Sequence, residues 1–506
     1  MFIWGKFKVL NTKLLLISFL ILITSGLFAQ NITVLDMRDH EAISDVFVIS
    51  TNETAISNAN GKISFREALK DNDTLVFQHP SFISVELSYA SIVKSKFVVI
   101  LERKTVSLEE FTVSAHKWEK ELDELPLRVQ SVQRDALSYQ PSTTADMLGS
   151  TGQVFIQKSQ QGGGSPMFRG FAANSILLVY DGMRVNNAIF RSGNLQNIIL
   201  FDAKAMESID VVFGPGSTIF GSDALGGVID YKSISPKFSS DSTLLLSGLA
   251  SIGFGSAARE GNGHIHFGIG DDKYSSFTSF SFSQFGDLRM GVNGPDDYLR
   301  PYYAERINGK DTLVQNPNDL DQVYSGYQQV NFIQKFGINI NENTKLGVHF
   351  SMAQTGDVPR YDRLIQESDD GGLEYAEWYY GPNTWLNAGL SFQNDSETSI
   401  FNQWKMKVDY QYYTESRHDR KFGSISLRNR TEKVNGINFN IDFNKYFTER
   451  VQLYYGAELW YNKVGSEGNE KDIESGITTE ISISGQLVYA PNVAKLFIPR
   501  LDLSFS

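Results

Sequence analysis

Hydrophobic and polar residues alternate with a period of two through the second half of the chain. Met406, Val408 and Tyr410 alternate with Lys407, Asp409 and Gln411, and Ile437, Phe439, Ile441 and Phe443 with Asn438, Asn440 and Asp442. Leu453, Tyr455, Ala457, Leu459 and Tyr461 alternate in the same way with Gln452, Tyr454, Gly456, Glu458 and Trp460. A period of two sends one set to each face of a β-strand. The pattern begins near Leu244, and its connections are of two kinds. Short links fall near 272–274, 341–343, 396–401, 446–450 and 491–496, and longer ones near 287–326, 356–383, 416–430 and 463–479. Short turns on one side and long loops on the other are the layout of a transmembrane antiparallel barrel. Residues 243–506 are therefore predicted to form about eleven strands, with Leu501–Ser506 inside a strand.

The pattern is different upstream. Ile176–Tyr180 and Ile209–Phe213 are continuous apolar runs of strand length, as expected of strands buried on both faces. Thr143 or Thr144 reads as the cap of a short helix through Leu148, and Asp181-Gly182 as a turn. Residues 120–235 thus predict a compact α/β domain. Residues 30–104 predict a small β-sandwich: Ile32, Val34 and Leu35 open it, Asn58-Ala59-Asn60-Gly61 turns into Lys62–Phe65, and short strands follow at Thr74–Gln78, Ser84–Leu87 and Phe97–Leu101. Between them, 105–119 is a connector containing Leu108-Glu109-Glu110-Phe111-Thr112-Val113-Ser114-Ala115. The alternation of Phe111 and Val113 suits either the last strand of the first domain or a segment that adds to the sheet edge of a partner.

Residues 1–29 read as a secretory signal: Lys6, Lys8 and Lys13 precede the apolar run Leu14–Ile23, and Leu27-Phe28-Ala29 precedes a cut at Gln30. Its removal leaves 43 basic against 58 acidic residues. An acidic chain without basic blocks speaks against nucleic acid as a partner. With no cysteine among 506 residues, disulfides, thiolate metal sites and cysteine nucleophiles are excluded. Aromatic residues are abundant, with 35 Phe and 22 Tyr, as in barrels with aromatic girdles. The seven histidines are scattered, and no G-x-S-x-G, H-E-x-x-H or calcium-loop motif occurs, so neither catalytic residues nor a metal site are expected. Gly214-Pro215-Gly216-Ser217 lacks the ending of a phosphate-binding loop.

The richest segment runs from Gly162 to Tyr231. Gly162–Phe171, with Arg169 and Gly170, leads to Asp181, Gly182 and Arg184; Glu207–Ser217 follows, with Gly214, Pro215 and Gly216, and then Gly221–Ile229, with Gly226 and Gly227. This series resembles the plug domain of TonB-dependent outer-membrane receptors. The 30–104 unit resembles the carboxypeptidase-regulatory-like domain that often precedes such plugs, and 108–115 resembles the TonB box. Asn186–Asn197, Asp287–Gly291, Val358–Leu364 and Trp378–Pro382 further resemble the haem and haemoglobin receptors of the family.

The resemblance implies a mainly β protein: a small β-sandwich, an α/β plug, then a partial transmembrane antiparallel β-barrel. A plugged barrel of this kind closes with about 22 strands, so 243–506 is expected to be the N-terminal half of one, and the chain a fragment. It also implies a place in the bacterial outer membrane, contact with its lipids, an energising TonB-type protein of the inner membrane, and a small-molecule ligand. Uptake of a scarce iron-containing nutrient, haem or a ferric chelate, follows, with no intrinsic cofactor. Cobalamin or a glycan is the alternative cargo, and an adhesion or sensor protein the alternative class. His264, His266 and His349 alternate with apolar neighbours and are expected to face the lumen as candidate ligand residues. Members of the haem branch often use a plug histidine, and none lies between His116 and His264.

Overall fold

The computed structural model describes residues 31–37, 41–50, 53–65, 70, 73–79, 82–101, 128–133, 141–172, 175–185, 188–189, 197–221, 223–239, 243–369, 371–448, 451–480, 489–492 and 500–501. The expected signal segment, the connector with Leu108–Ala115, and Phe190–Gln196 lie outside the described residues. The chain divides into two units, Met1–Glu110 and Phe111–Ser506.

The first unit contains two small sheets. Lys62–Ser64, Asn31–Asp36 and Val98–Leu101 form one, with the last pair parallel; Thr54–Ile56, Phe47–Ile49, Thr74–His79 and Phe82–Ser88 form the other. Alternate residues of these strands, among them Ile32, Val34, Val48, Leu75 and Phe77, fill the core. The Asn58 side chain accepts from the N–H groups of Asn60 and Lys62, at 2.9 and 3.0 Å, which fixes the turn before Lys62–Ser64. Gly61 (φ +67°) is required there, because a Cβ would stand 2.5 Å from the Val34 carbonyl oxygen. A helix, Tyr89–Lys94, was not expected; Ser88 caps it, and Tyr89 and Ile92 are buried.

In the second unit a five-stranded mixed sheet runs in the order Met183–Arg184, Ile176–Tyr180, Gly227–Ser233, Met206–Phe213, Arg128–Gln133. All five residues of Ile176–Tyr180 are buried, as a continuous apolar run requires. Thr143 caps the helix Thr144–Gly149 by accepting from the Asp146 N–H at 3.1 Å. A small sheet of Phe155–Gln157, Ser165–Phe168 and Phe171–Ala172 lies beside it in sequence. This is the plug.

The remainder is one continuous antiparallel sheet. Its main strands are Leu245–Gly255, Glu260–Gly270, Tyr274–Phe285, Tyr327–Asn341, Thr344–Thr355, Thr384–Asn394, Gln403–Lys421, Ser426–Thr448 and Val451–Asp472. Each pairs with the next in sequence. Alternate faces are sorted as expected. Asn438, Asn440 and Asp442 are buried against the interior while Ile437 and Val408 stand exposed on the outer face, which lipid covers. No helix among the described residues is long and apolar enough to cross a membrane.

Two expectations about the barrel are corrected. The segments 416–430 and 463–479 are not long loops: strands continue to Lys421 and Asp472, and the turns are 422–425 and 473–477. Strands of 19 to 23 residues are roughly twice what a membrane requires. Beyond the lipid both faces meet water, so the apolar alternation fades while the hydrogen-bond ladder persists. One such cross-strand pair, Lys433–Glu467 at 2.9 Å, is fully polar. The short link expected near 491–496 lies mostly outside the described residues. Thr478–Glu480, Tyr489–Asn492 and Arg500–Leu501 each pair antiparallel with Val451–Asp472. Finally, the turn at 256–259 was not foreseen.

Candidate functional site at the plug apex

The plug is held to the wall by polar side chains of the wall that bind plug backbone. Gln329 Nε2 donates to the Ile199 carbonyl and Asn331 Nδ2 to that of Leu200, both at 2.7 Å; Gln411 Nε2 donates to that of Arg184 at 2.7 Å. Lys335 Nζ donates to the Ser233 carbonyl at 3.1 Å, and Lys407 Nζ to that of Asp181. The turn at Asp181 is the hub. Its carboxylate accepts from Ser233 N–H at 2.9 Å and Ser233 Oγ at 2.7 Å, and pairs with Lys335 Nζ at 2.8 Å. Arg184, almost fully buried, pairs with Asp223 at 2.9 Å and with Glu458 of the wall at 3.4 Å. Apolar packing completes the seam: Tyr180 and Phe201 of the plug meet Trp385 of the wall edge-on, at 5.0 and 5.3 Å.

At the end of the sheet where the long links 286–326 and 356–383 emerge, a cavity of about 470 Å³ opens between plug and wall. Plug residues Ser159, Gln160, Gly162–Ser165 and Asn197 form one side, and Arg360, Asp362, Tyr380, Asn383 and Glu415 the other. Val358–Pro359 pairs with Tyr379–Tyr380, which brings together two segments far apart in sequence. Arg360 donates to Asp362 at 2.9 Å and lies over the Trp378 ring at 4.9 Å. Arg417 pairs with Glu415 at 2.8 Å and approaches the Tyr380 ring at 5.7 Å. This size suits a drug-sized ligand.

A second cavity, of about 360 Å³, lies among the outer links, beneath the hairpin Tyr302–Ile307/Lys310–Gln315 and beside Trp378 and Tyr379. Asp311 clamps this hairpin: Arg420 reaches it at 2.7 Å, Arg306 at 3.3 Å, and the Gly423 N–H at 2.7 Å. Burial works to raise the Asp311 carboxyl, but the hydrogen bonds from Arg420, Gly423 and Arg306 and the charge of Arg420 prevail and hold it below the ordinary carboxylate range.

The residues singled out in the sequence mostly build the plug and leave the cavity to others. Arg169, in the left-handed region at φ +50°, is exposed with its guanidinium 4.8 Å over the Phe213 ring, and Gly170 completes its turn. Asp181 and Gly182 make the turn into Met183–Arg184. Gly214, Pro215 and Gly216 lead into the short helix Ser217–Phe220, which Gly221 ends. Gly226 lies against Phe171. Gly227 (φ +154°) is the position where only glycine fits, since a Cβ would stand 2.3 Å from the Val212 carbonyl oxygen. His264 and His266 do face the interior, but as part of a chain: Ser281 Oγ donates to Asp202 of the plug at 2.6 Å, His264 Nδ1 meets Ser281 Oγ at 2.7 Å, and His264 Nε2 meets His266 Nδ1 at 2.8 Å. His349 lies 3.4 Å from Asp409. None of these three lines the apex cavity, and no described group of His, Asp and Glu is arranged to hold a metal. The cavity residues Arg360, Asp362 and Tyr380 of the wall and Asn197 of the plug come from Val358–Leu364, Trp378–Pro382 and Asn186–Asn197, segments visible in the sequence as family-like stretches; Asn383 and Glu415 carried no signal.

An α/β plug seated against a wall of antiparallel strands is a plug-and-barrel arrangement. Residues 121–228 match the family described as TonB-dependent Receptor Plug Domain, and the chain is similar to receptors and transporters of the outer membrane. It is 28% identical over 204 residues to a hemin receptor of Yersinia pestis, covering 38% of this chain and 29% of that protein. It is 25% identical over 275 residues to the vitamin B12 transporter BtuB of Vibrio vulnificus (strain CMCP6), covering 53% of this chain and 37% of that protein. The solved copper transporter OprC shares the fold with a TM-score of 0.51 at 12% identity, over 72% of this chain and 50% of its own length. The chain thus matches half or less of the length of each of these proteins.

Proposed function

We propose that this chain supplies the plug and part of the wall of a transporter that takes up a scarce iron-containing nutrient, haem or a ferric chelate, into the periplasm. The observation that carries the reading is the apex cavity: it is ligand-sized, formed jointly by plug and outer links, and lies at the end of the sheet where the long links emerge. A ligand bound there rests on the element that must move to admit it. The outer membrane holds no ATP, so the work arrives from a TonB-type inner-membrane protein through Leu108–Ala115. The likeness to hemin receptors supports an iron cargo; that to a vitamin B12 transporter supports cobalamin as the second reading. Residues 30–104 act as a carboxypeptidase-regulatory-like module before the plug at 120–235, and the histidines at 264, 266 and 349 serve the plug–wall contact more than the cargo.

Deleting the receptor should abolish growth of iron-starved cells on haemin or on a ferric chelate as sole iron source, and deleting the energising protein should do the same. Unchanged growth on both iron sources, with loss of growth on limiting cobalamin, would shift the assignment to the second reading.

A further inference from the structure

We propose that Asp409 is a reserve partner for Lys407. When the plug turn at Asp181 withdraws, the lysine passes from the Asp181 carbonyl to the Asp409 carboxylate, and the wall keeps its buried cation paired within itself. The proposal rests on the movable plug of the uptake reading and holds whichever cargo is carried.

At this level of the interior face, Lys335, His349, Gly389 and Asp409 form one row across four neighbouring strands, each in register with the next. Adjacent strands lie about 4.8 Å apart, so the backbones of His349 and Asp409 are about 10 Å apart, with a whole strand between them. The two side chains nevertheless meet: His349 Nε2 lies 3.4 Å from Asp409 Oδ1. Gly389 permits the contact. A Cβ on this residue would overlap a carboxylate oxygen of Asp409 and stand 2.8 Å from the carboxylate carbon. Glycine weakens a strand interior, and its place there marks the close approach of another group. Here the group is the buried Asp409 carboxylate, laid across the intervening strand.

Lys407 stands two residues before Asp409, on the same face of the same strand. The charges that act on it are Lys405 and Asp409 of its own strand, Lys335 of the wall and Asp181 of the plug. In the seated plug, Lys407 donates to the Asp181 carbonyl, a neutral acceptor, while Lys335 takes the Asp181 carboxylate at 2.8 Å. A cavity of about 30 Å³, lined by Asp181, Lys335, His349, Ser391 and Lys407, joins the plug contact to the histidine. Withdrawing the turn removes the carboxylate and the carbonyl together. A buried lysine that loses its acceptor and gains none opposes that step, because breaking a buried pair costs far more than exchanging it. Asp409 supplies the exchange. His349 holds its carboxylate while the plug is seated, and Lys407 takes it as the plug leaves.

The test reads plug release without any cargo. Ala205→Cys lies on a plug residue buried against Phe277 and Ile333 of the wall, and these 506 residues hold no other cysteine. With any cysteine elsewhere in the full-length receptor replaced, a maleimide reaches this thiol only when the plug leaves its seat. Labelling is followed in urea that leaves the barrel strands protease-resistant. Asp409→Asn should slow it about 10-fold, because the reserve partner is lost. His349→Gln should speed it, because the carboxylate is then free to draw Lys407 from the plug. In a Lys407→Met background both effects should vanish. A residue that merely supports the wall would speed labelling in both variants. The proposal is overturned if Asp409→Asn labels as fast as the parent or faster, if His349→Gln leaves labelling unchanged or slows it, or if either effect survives intact in Lys407→Met. Should Asp409→Asn fail to assemble, His349→Gln with and without Lys407→Met decides alone. Labelling indifferent to these residues removes the reserve partner and leaves the movable plug standing. A parent that never labels while its barrel is intact removes both.

Discussion

The plug meets the wall in two places that use the same residue types to opposite ends. Along the seam, wall side chains donate to plug carbonyls and Lys335 closes on Asp181, both nearly buried. At the apex, Arg360 pairs with Asp362 and Arg417 with Glu415 beside an open cavity, all but Glu415 partly exposed. The seam buries its charges among several plug and wall partners, so it fixes position. The apex pairs sit where water or a ligand can replace either member, so they adapt. The apex cavity and the contacts that hold the plug are thereby separated in space.

Removing one partner of the seam should have the largest consequence. Lys335→Ala removes the cation paired with the buried Asp181 carboxylate, leaving only Lys407 nearby, and should destabilise plug seating by up to about 3 kcal/mol. Limited proteolysis should then cut within 176–233 while the strands stay protected; intact resistance would show that the lysine is dispensable. The wall itself comes next. Phe439→Arg, on the lipid face near mid-membrane, should cost about 2–4 kcal/mol of barrel stability, while Asn440→Arg on the interior face costs less. Equal tolerance at the two neighbours would mean that the faces are assigned the wrong way round.

How much of this was legible in the sequence follows from where each signal originates. The period of two is a direct image of lipid on one side and a polar interior on the other, so Ile437–Asp442 announced both their strand and their faces. Above the lipid that contrast vanishes, and 416–430 and 463–479 read as loops although the pairing continues through Ser426–Glu432 with Ser466–Asp472. Plug turns such as Asp181-Gly182 and the glycines around Gly227 were visible because backbone geometry restricts residue choice there. Asn383, by contrast, is one asparagine among many, and only the meeting of the 356–383 link with the plug gives it a cavity to face. The histidines illustrate the converse: their alternation correctly placed them inside, but the Asp202–Ser281–His264 chain that occupies two of them depends on a contact between residues 79 positions apart.

Smaller effects sharpen the contrast at the apex. Asp362→Ala removes a partly exposed pair and should change stability by no more than about 1 kcal/mol, yet it frees Arg360 and should measurably alter ligand affinity in a titration. A loss of several kcal/mol would place this pair with the seam. The smallest effect concerns pH. The Asp311 carboxyl is lowered on folding, so its contribution is fully present above the ordinary carboxylate value near 4 and is lost only as pH falls through the lower folded value. The distance between spin labels on the hairpin at Lys310 and on the turn at Ser424 should stay constant from pH 7 to 5 and lengthen only below about pH 4. Opening between pH 7 and 5 would assign the clamp to another group.

The separation of holding from binding is tested most directly by the connector. In the full-length receptor, Val113→Pro removes a backbone donor and bars the segment from joining a partner's sheet. Surface binding of iron-labelled ligand, its uptake and receptor abundance are measured together. The expected result is near-normal binding and abundance with uptake abolished. Normal uptake at normal abundance would contradict it, and lowered abundance would assign Val113 to the last strand of the first domain.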